Sequence, residues 1–116
     1  MRRGDVVLVR VPHASGIRGK KRPAVVIQAD AYHGKVPTIV IASFTKNLSM
    51  ATDPACVLVE AASPEGKTAG IVRDSVISCL SLETVYADMV DHVLGTLPSA
   101  LIEKLDRSLK SALGLA

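Results

Sequence analysis

The apolar residues of this chain come in runs too short to make ordinary helices. Val6-Val7-Leu8-Val9-Arg10-Val11, Ala24-Val25-Val26-Ile27, Thr38-Ile39-Val40-Ile41-Ala42-Ser43-Phe44 and Ala55-Cys56-Val57-Leu58-Val59-Glu60 are each brief and mostly β-branched. Polar, Gly- or Pro-containing segments separate them. Such runs read as buried strands. The strands expected are Val6–Val11, stopped by Pro12, then 22–29, 38–44 and 55–60. Short strands at Gly70–Val72, Ser75–Leu80 and Leu82–Tyr86 follow the turn signal Ser63-Pro64-Glu65-Gly66, with room for a helical turn near Ser78–Ser81. The period then changes. Leu101, Ile102, Leu105, Leu109, Ala112 and Leu113 recur at helical spacing, while Glu103, Lys104, Asp106, Arg107 and Lys110 cover the other face. Leu97-Pro98-Ser99 starts this helix and Gly114 stops it. Many short strands with one terminal helix exclude βαβ alternation. A small curved antiparallel barrel or sandwich is the natural closure, and at 116 residues it forms one domain, 1–116.

Charge is concentrated rather than large. The net charge is +3, yet four of the five residues from Arg18 to Arg22 are basic. This cluster runs directly into the second strand, with Pro23 at its first position because proline cannot donate a ladder bond. Arg22 is thereby held at the lip of a rigid sheet, where its guanidinium can grip a phosphate through two parallel hydrogen bonds. The third strand carries the matching end, Ser43-Phe44-Thr45-Lys46-Asn47, with hydroxyls, a cation and an amide. A local basic patch of this kind suits a polyanion. Ser43 falls two residues before Thr45 and so on the same strand face. Arg18, Lys20, Lys21 and Lys46 would steer such a polyanion by charge. A solvated loop is the plainer reading of the same cations. His13 reads as loop, and His33 and His92 as exposed turn residues.

Cys56 and Cys79 show no zinc-like spacing and lie in apolar runs, which makes them small buried hydrophobes. No secretory apolar region opens the chain and no run is long enough to cross a bilayer, so a cytoplasmic location and no membrane partner are expected.

Taken together, Gly4-Asp5-Val6-Val7-Leu8-Val9, Arg22-Pro23-Ala24-Val25-Val26-Ile27, Val40-Ile41-Ala42-Ser43-Phe44-Thr45, Asp74-Ser75-Val76-Ile77 and a helix running into Leu113-Gly114-Leu115 resemble the MazF/PemK toxins of type II toxin–antitoxin systems, in order and over nearly the whole chain. The resemblance implies a mainly β fold, an SH3-like β-barrel of the CcdB/MazF type with a C-terminal α-helix. It implies a homodimeric, sequence-specific endoribonuclease that cuts single-stranded RNA, often mRNA, without a metal or other cofactor. It also implies a cognate antitoxin whose acidic C-terminal segment covers the RNA groove. The catalytic residues carried over are Arg22 and Thr45; the accompanying RNA contacts would be Arg18, Lys20, Lys21, Ser43, Lys46 and Asn47. Two places depart from the common pattern. The first loop, Ser15 to Lys21, has no acid where many members have Ser-Glu, and Ser81-Leu82-Glu83-Thr84 stands where many have Gln-x-Arg-Thr. Two other classes share the barrel: a CcdB-like toxin that binds DNA gyrase, and an inactive RNA-binding barrel. The terminal Leu113-Gly114-Leu115-Ala116 lacks the bulky aromatic end of the gyrase binders.

Overall fold

The structure, a computed structural model, describes residues 1–10 and 21–116. His13, Arg18 and Lys20 lie outside the described residues. The elements in chain order are β1 (Asp5–Arg10), β2 (Lys21–Val26), β3 (Thr38–Thr45), β4 (Cys56–Val59), α1 (Pro64–Ala69), β5 (Ser75–Tyr86), β6 (Val90–Thr96) and α2 (Ser99–Leu113). The strands form one antiparallel sheet in the order β4-β5-β3-β2-β1-β6. This is the expected mainly β fold with a C-terminal helix. Among the described residues the edge strands β4 and β6 do not pair with each other; α2 packs on β4 and β5, and α1 on β6.

Strand alternation splits the core in two. Val6, Val25, Ala42, Phe44, Val57 and Ile77 point to the side that α2 covers with Leu101 and Leu105. Val7, Val9, Ala24, Val26, Ile39, Ile41 and Val85 make a second cluster. In β1, β2 and β3, neighbouring residues therefore serve opposite faces, and both faces are dry. This is why these strands read as continuous apolar runs rather than as alternation.

The segment 75–86, expected as separate short strands, is one strand with a break in its pairing. Ser43 pairs with Ser78 but Ala42 pairs with Leu82, so Cys79, Leu80 and Ser81 are extra residues on β5. The irregularity falls where a helical turn was expected, but it is a bulge. Its effect is to bend β5, with the first half pairing β4 as well as β3 and the second half pairing β3 alone. The β1–β6 pairing shifts register twice, between Val6 and Val7 and between Leu8 and Val9.

Gly70-Ile71-Val72 is not a strand. Ser63 Oγ accepts from the Gly66 N–H at 3.0 Å, Pro64 opens α1, and Gly70 closes it with φ 74°. The motif read as a turn is thus a cap-to-cap helix of six residues. β6 is not announced by the pattern Val90-Asp91-His92-Val93-Leu94-Gly95-Thr96, because its two bulges spoil the period of two. His33 is partly buried, its side chain 18 % exposed, rather than exposed.

Backbone contact joins α1 to β6. A Cβ on Gly95 would stand 2.4 Å from the Thr68 carbonyl oxygen and 2.5 Å from the Ala69 carbonyl carbon. Gly95→Ala is therefore expected to push α1 off β6 and cost about 1–3 kcal/mol or more. A lowered urea midpoint checks this; an unchanged midpoint would show that the two backbones separate freely.

At the other end, Arg3 donates from Nε to the Ile27 carbonyl at 2.9 Å and from Nη2 to Asp106 at 2.7 Å. It ties the chain start and the end of β2 to α2. The α2 helix itself begins at Ser99 with Pro98 at the cap position and ends at Gly114, φ 68°.

Candidate active site

A groove of about 830 Å³ opens where β2 and β3 leave one another. Val26–Ile41, Val25–Ala42 and Ala24–Ser43 are the pairs of these two strands. The pairing stops there, and Arg22, two residues before Ala24, and Thr45, two residues after Ser43, both line the groove that opens beyond it. Arg22 also pairs with Val9 across β1, which places it on the face of Val9 and Ala24. The two residues come from opposite ends of the β2–β3 connection, yet sheet geometry brings them to one lip of one groove. Pro23 is opposite Leu8 and lies where β2 has no partner on β3. Its missing N–H is tolerated at such an open side.

Thr45 is oriented by its own chain. Its Oγ1 accepts from the Asn47 N–H at 3.1 Å, and Asn47 Oδ1 in turn accepts from the Ser49 N–H at 3.0 Å, capping the short helical turn at Leu48–Met50. With one lone pair engaged by a backbone donor, the Thr45 hydroxyl keeps its proton to give to a ligand. Asn47 is thus occupied as a cap and does not line the groove. Ser43 and Lys46 do.

Lys21 lines the groove and reaches Asp91 of β6 at 3.1 Å. The Asp91 carboxyl also accepts from His92 Nδ1 at 2.8 Å, and the His92 contact, then Lys21, holds it below the usual carboxylate range. This ion pair spans β2 and the bulged part of β6 and steadies the strand next to Arg22.

Two charged groove residues are not among the candidates drawn from the sequence, although Glu83 lies in the Ser81–Thr84 run that departs from the common pattern. Arg73 sits in the connector after α1, which Asp74 pins by accepting from the Ala61 N–H at 2.9 Å, while Ser75 Oγ donates to the Arg73 carbonyl at 2.9 Å. Glu83 comes from the second half of β5. The cap spacing from Ser63 to Gly70 is the signal that would have located Arg73, since it marks a helix end pointing at the sheet. For Glu83 the signal is the Ser81-Leu82-Glu83-Thr84 departure, but the bulge in β5 decides that it reaches the groove. Among the described residues the groove wall carries four cations, Lys21, Arg22, Lys46 and Arg73, against one carboxylate. It therefore favours an anion.

The cysteines are placed otherwise. Cys56 and Cys79 are buried on neighbouring strands. Burial pushes the Cys79 thiol up to about 11, with Cys56 beside it adding to the shift, so the thiolate needed of a nucleophile is disfavoured. Among the described residues, no group of three or more His, Cys, Asp or Glu side chains is arranged to hold a metal. No described helix is long and apolar enough to cross a membrane.

Residues 2–113 match the family model of the PemK-like, MazF-like toxin of type II toxin–antitoxin systems. The chain is 32 % identical over 106 residues to endoribonuclease MazF6 of Mycobacterium tuberculosis, covering 90 % of this chain and 88 % of that protein. It is 29 % identical over 116 residues to endoribonuclease EndoA of Bacillus subtilis, covering 99 % and 96 %. Among solved structures, an endoribonuclease in complex with its cognate antitoxin from a mycobacterial species superimposes with a TM-score of 0.78 at 21 % identity, covering 100 % of this chain and 97 % of that one. A MazE–MazF structure from Deinococcus radiodurans gives 0.77 at 20 % identity, covering 100 % and 98 %. These structures share the fold.

Proposed function

The chain belongs to the PemK-like, MazF-like toxins of type II toxin–antitoxin systems, and from this we propose an endoribonuclease in which Arg22 and Thr45 act on the scissile phosphate of single-stranded RNA. The observation that carries the assignment is their convergence at one lip of a cationic groove.

The chemistry follows from the groups. The 2′-oxygen attacks the adjacent phosphorus as its proton leaves, and the bond from phosphorus to the 5′-oxygen breaks as that oxygen gains a proton. The products are a 2′,3′-cyclic phosphate and a 5′-hydroxyl. Negative charge builds on the non-bridging oxygens in between. Arg22, with a fixed charge and a planar pair of donors, stabilises it more in the transition state than in the ground state. Thr45 donates its free hydroxyl proton to a non-bridging oxygen. Neither group is a good base, since a guanidinium stays protonated and an alcohol holds its proton. The requirement for a 2′-hydroxyl makes RNA the substrate and DNA inert. Lys46, Arg73 and Lys21 draw the strand in by charge, joined by Arg18 and Lys20, and Ser43 adds a hydroxyl beside Thr45.

The same reading makes the protein a toxin, acting as a single domain in the cytoplasm, cutting mRNA and so arresting growth. A homodimer is its working form, and a cognate antitoxin with an acidic C-terminal segment neutralises it by lying in the groove that RNA would occupy. The solved MazE–MazF structures on the same fold support this arrangement.

Incubation with a long single-stranded RNA in EDTA tests the activity, with DNA of the same sequence alongside. Discrete cuts in the RNA alone, ending in 2′,3′-cyclic phosphates, are expected. RNA left intact by folded protein under these conditions, or cuts that need added metal, would sink the mechanism.

A further inference from the structure

Glu83 is the only carboxylate among the described residues that line the groove. A carboxylate beside a phosphate chain is repelled, so its place there calls for a partner other than the backbone. The strand register shows which part of an RNA it meets. Glu83 pairs with Ile41, four residues before Thr45 on β3. Four residues of strand span about 13 Å. Ile41, Ser43 and Thr45 alternate onto one face, and Glu83, opposite Ile41, shares it with Arg22. Glu83 is exposed there, and makes no ion pair with another described residue. It stands too far along the strand to take the proton of the attacking 2′-hydroxyl, which requires contact within about 3 Å. It is well placed for the nucleotide next to the cut.

We propose, building on the reading of the groove as an RNA-cleaving site, that Glu83 reads a guanine neighbouring the scissile linkage. An ionised carboxylate only accepts hydrogen bonds, through two oxygens side by side. Bases in single-stranded RNA are open to recognition on their Watson–Crick edges. Guanine presents two adjacent donors there, N1–H and the N2 amino group, and satisfies both oxygens. Cytosine and adenine present one amino donor next to a ring nitrogen acceptor, which would face the second oxygen. Uracil presents one N–H between two carbonyls. Only guanine meets the carboxylate without a repulsive contact, so the same group that attracts guanine rejects the others.

The test maps fragment ends from a random single-stranded RNA pool cut by the purified full chain, wild type beside Glu83→Gln. The wild type should cut only where guanine occupies one fixed offset from the cleaved bond. Placing inosine there in a synthetic substrate removes the N2 amino group and should slow cleavage about ten- to a hundredfold, the discrimination expected of one bidentate contact. Glu83→Gln offers one acceptor and one donor, which match the amino donor and ring-nitrogen acceptor of adenine and of cytosine, and should move the preference at that offset away from guanine toward those two bases. Cleavage by the wild type with no fixed guanine, with inosine tolerated, or with an unchanged pattern in Glu83→Gln overturns the inference and leaves the nuclease reading intact. Absence of any cleavage by the wild type overturns the nuclease reading and this inference with it. Should the variant fail to fold, the inosine substrate decides the matter with the unaltered protein.

Discussion

Arg22→Ala should lower the single-turnover rate of RNA cleavage by at least about a thousandfold, the upper end for removing one preorganised donor. The loss is large because Arg22 supplies charge as well as two donors where charge develops. Arg22→Lys should recover only part of it, since an ammonium keeps the charge but not the planar fork. Folding should hardly change. Arg22 is exposed at the start of β2, and its neighbours in the sheet are held by backbone pairing with β1. Its unfolding free energy is expected within about 0.5 kcal/mol of wild type. Cleavage at the wild-type rate by folded Arg22→Ala would remove Arg22 from the catalytic role. A variant that loses stability along with activity would mean that the residue holds the strand end rather than the phosphate.

Leu105→Ala should do the reverse, lowering stability with little direct effect on the groove. Leu105 is 0 % exposed and belongs to the core cluster that joins α2 to β3, β4 and β5. Truncation leaves a cavity under α2, the longer of the two described α-helices, and should cost about 2–5 kcal/mol. For a domain whose total stability is on the order of 5–15 kcal/mol, that is a large fraction. Urea unfolding checks it, and a loss below about 1 kcal/mol would show that α2 contributes little to the core. Below its melting temperature the variant should still cut RNA, because Leu105 does not line the groove. The two substitutions thus separate the site from the scaffold.

The parts of the site legible in the sequence were those set by local chemistry. Arg22 before Pro23 and Thr45 at the end of an apolar run each announce a strand end with a polar group, and the groove holds both. The role of Asn47 was less legible. An amide after a strand looks like a ligand contact, but its oxygen is spent capping the next turn. Lys21 looked like one more free cation in a basic run, whereas it pairs with Asp91 seventy residues away. That partner lies on β6, whose bulges hide it from any pattern of period two. Gly70-Ile71-Val72 has the composition of a strand, but the caps at Ser63 and Gly70 claim the residues before it for a helix.

What the sequence by itself determined was the inventory: short β-branched runs, a terminal amphipathic helix, an arginine and a threonine at strand ends, and buried cysteines. Each depends on a period or a residue type within a few positions, and local physics suffices to read it. What only the tertiary structure decided was adjacency. The pairing of β2 with β3 brings Arg22 and Thr45 to the same groove, the bulge at Cys79–Ser81 turns Glu83 into it, and glycine contact at Gly95 seats the helix whose end brings Arg73. Register, bend and close approach are set by which distant side chains fill the core together. That is a property of the whole packed sheet, and no stretch of the chain carries it alone.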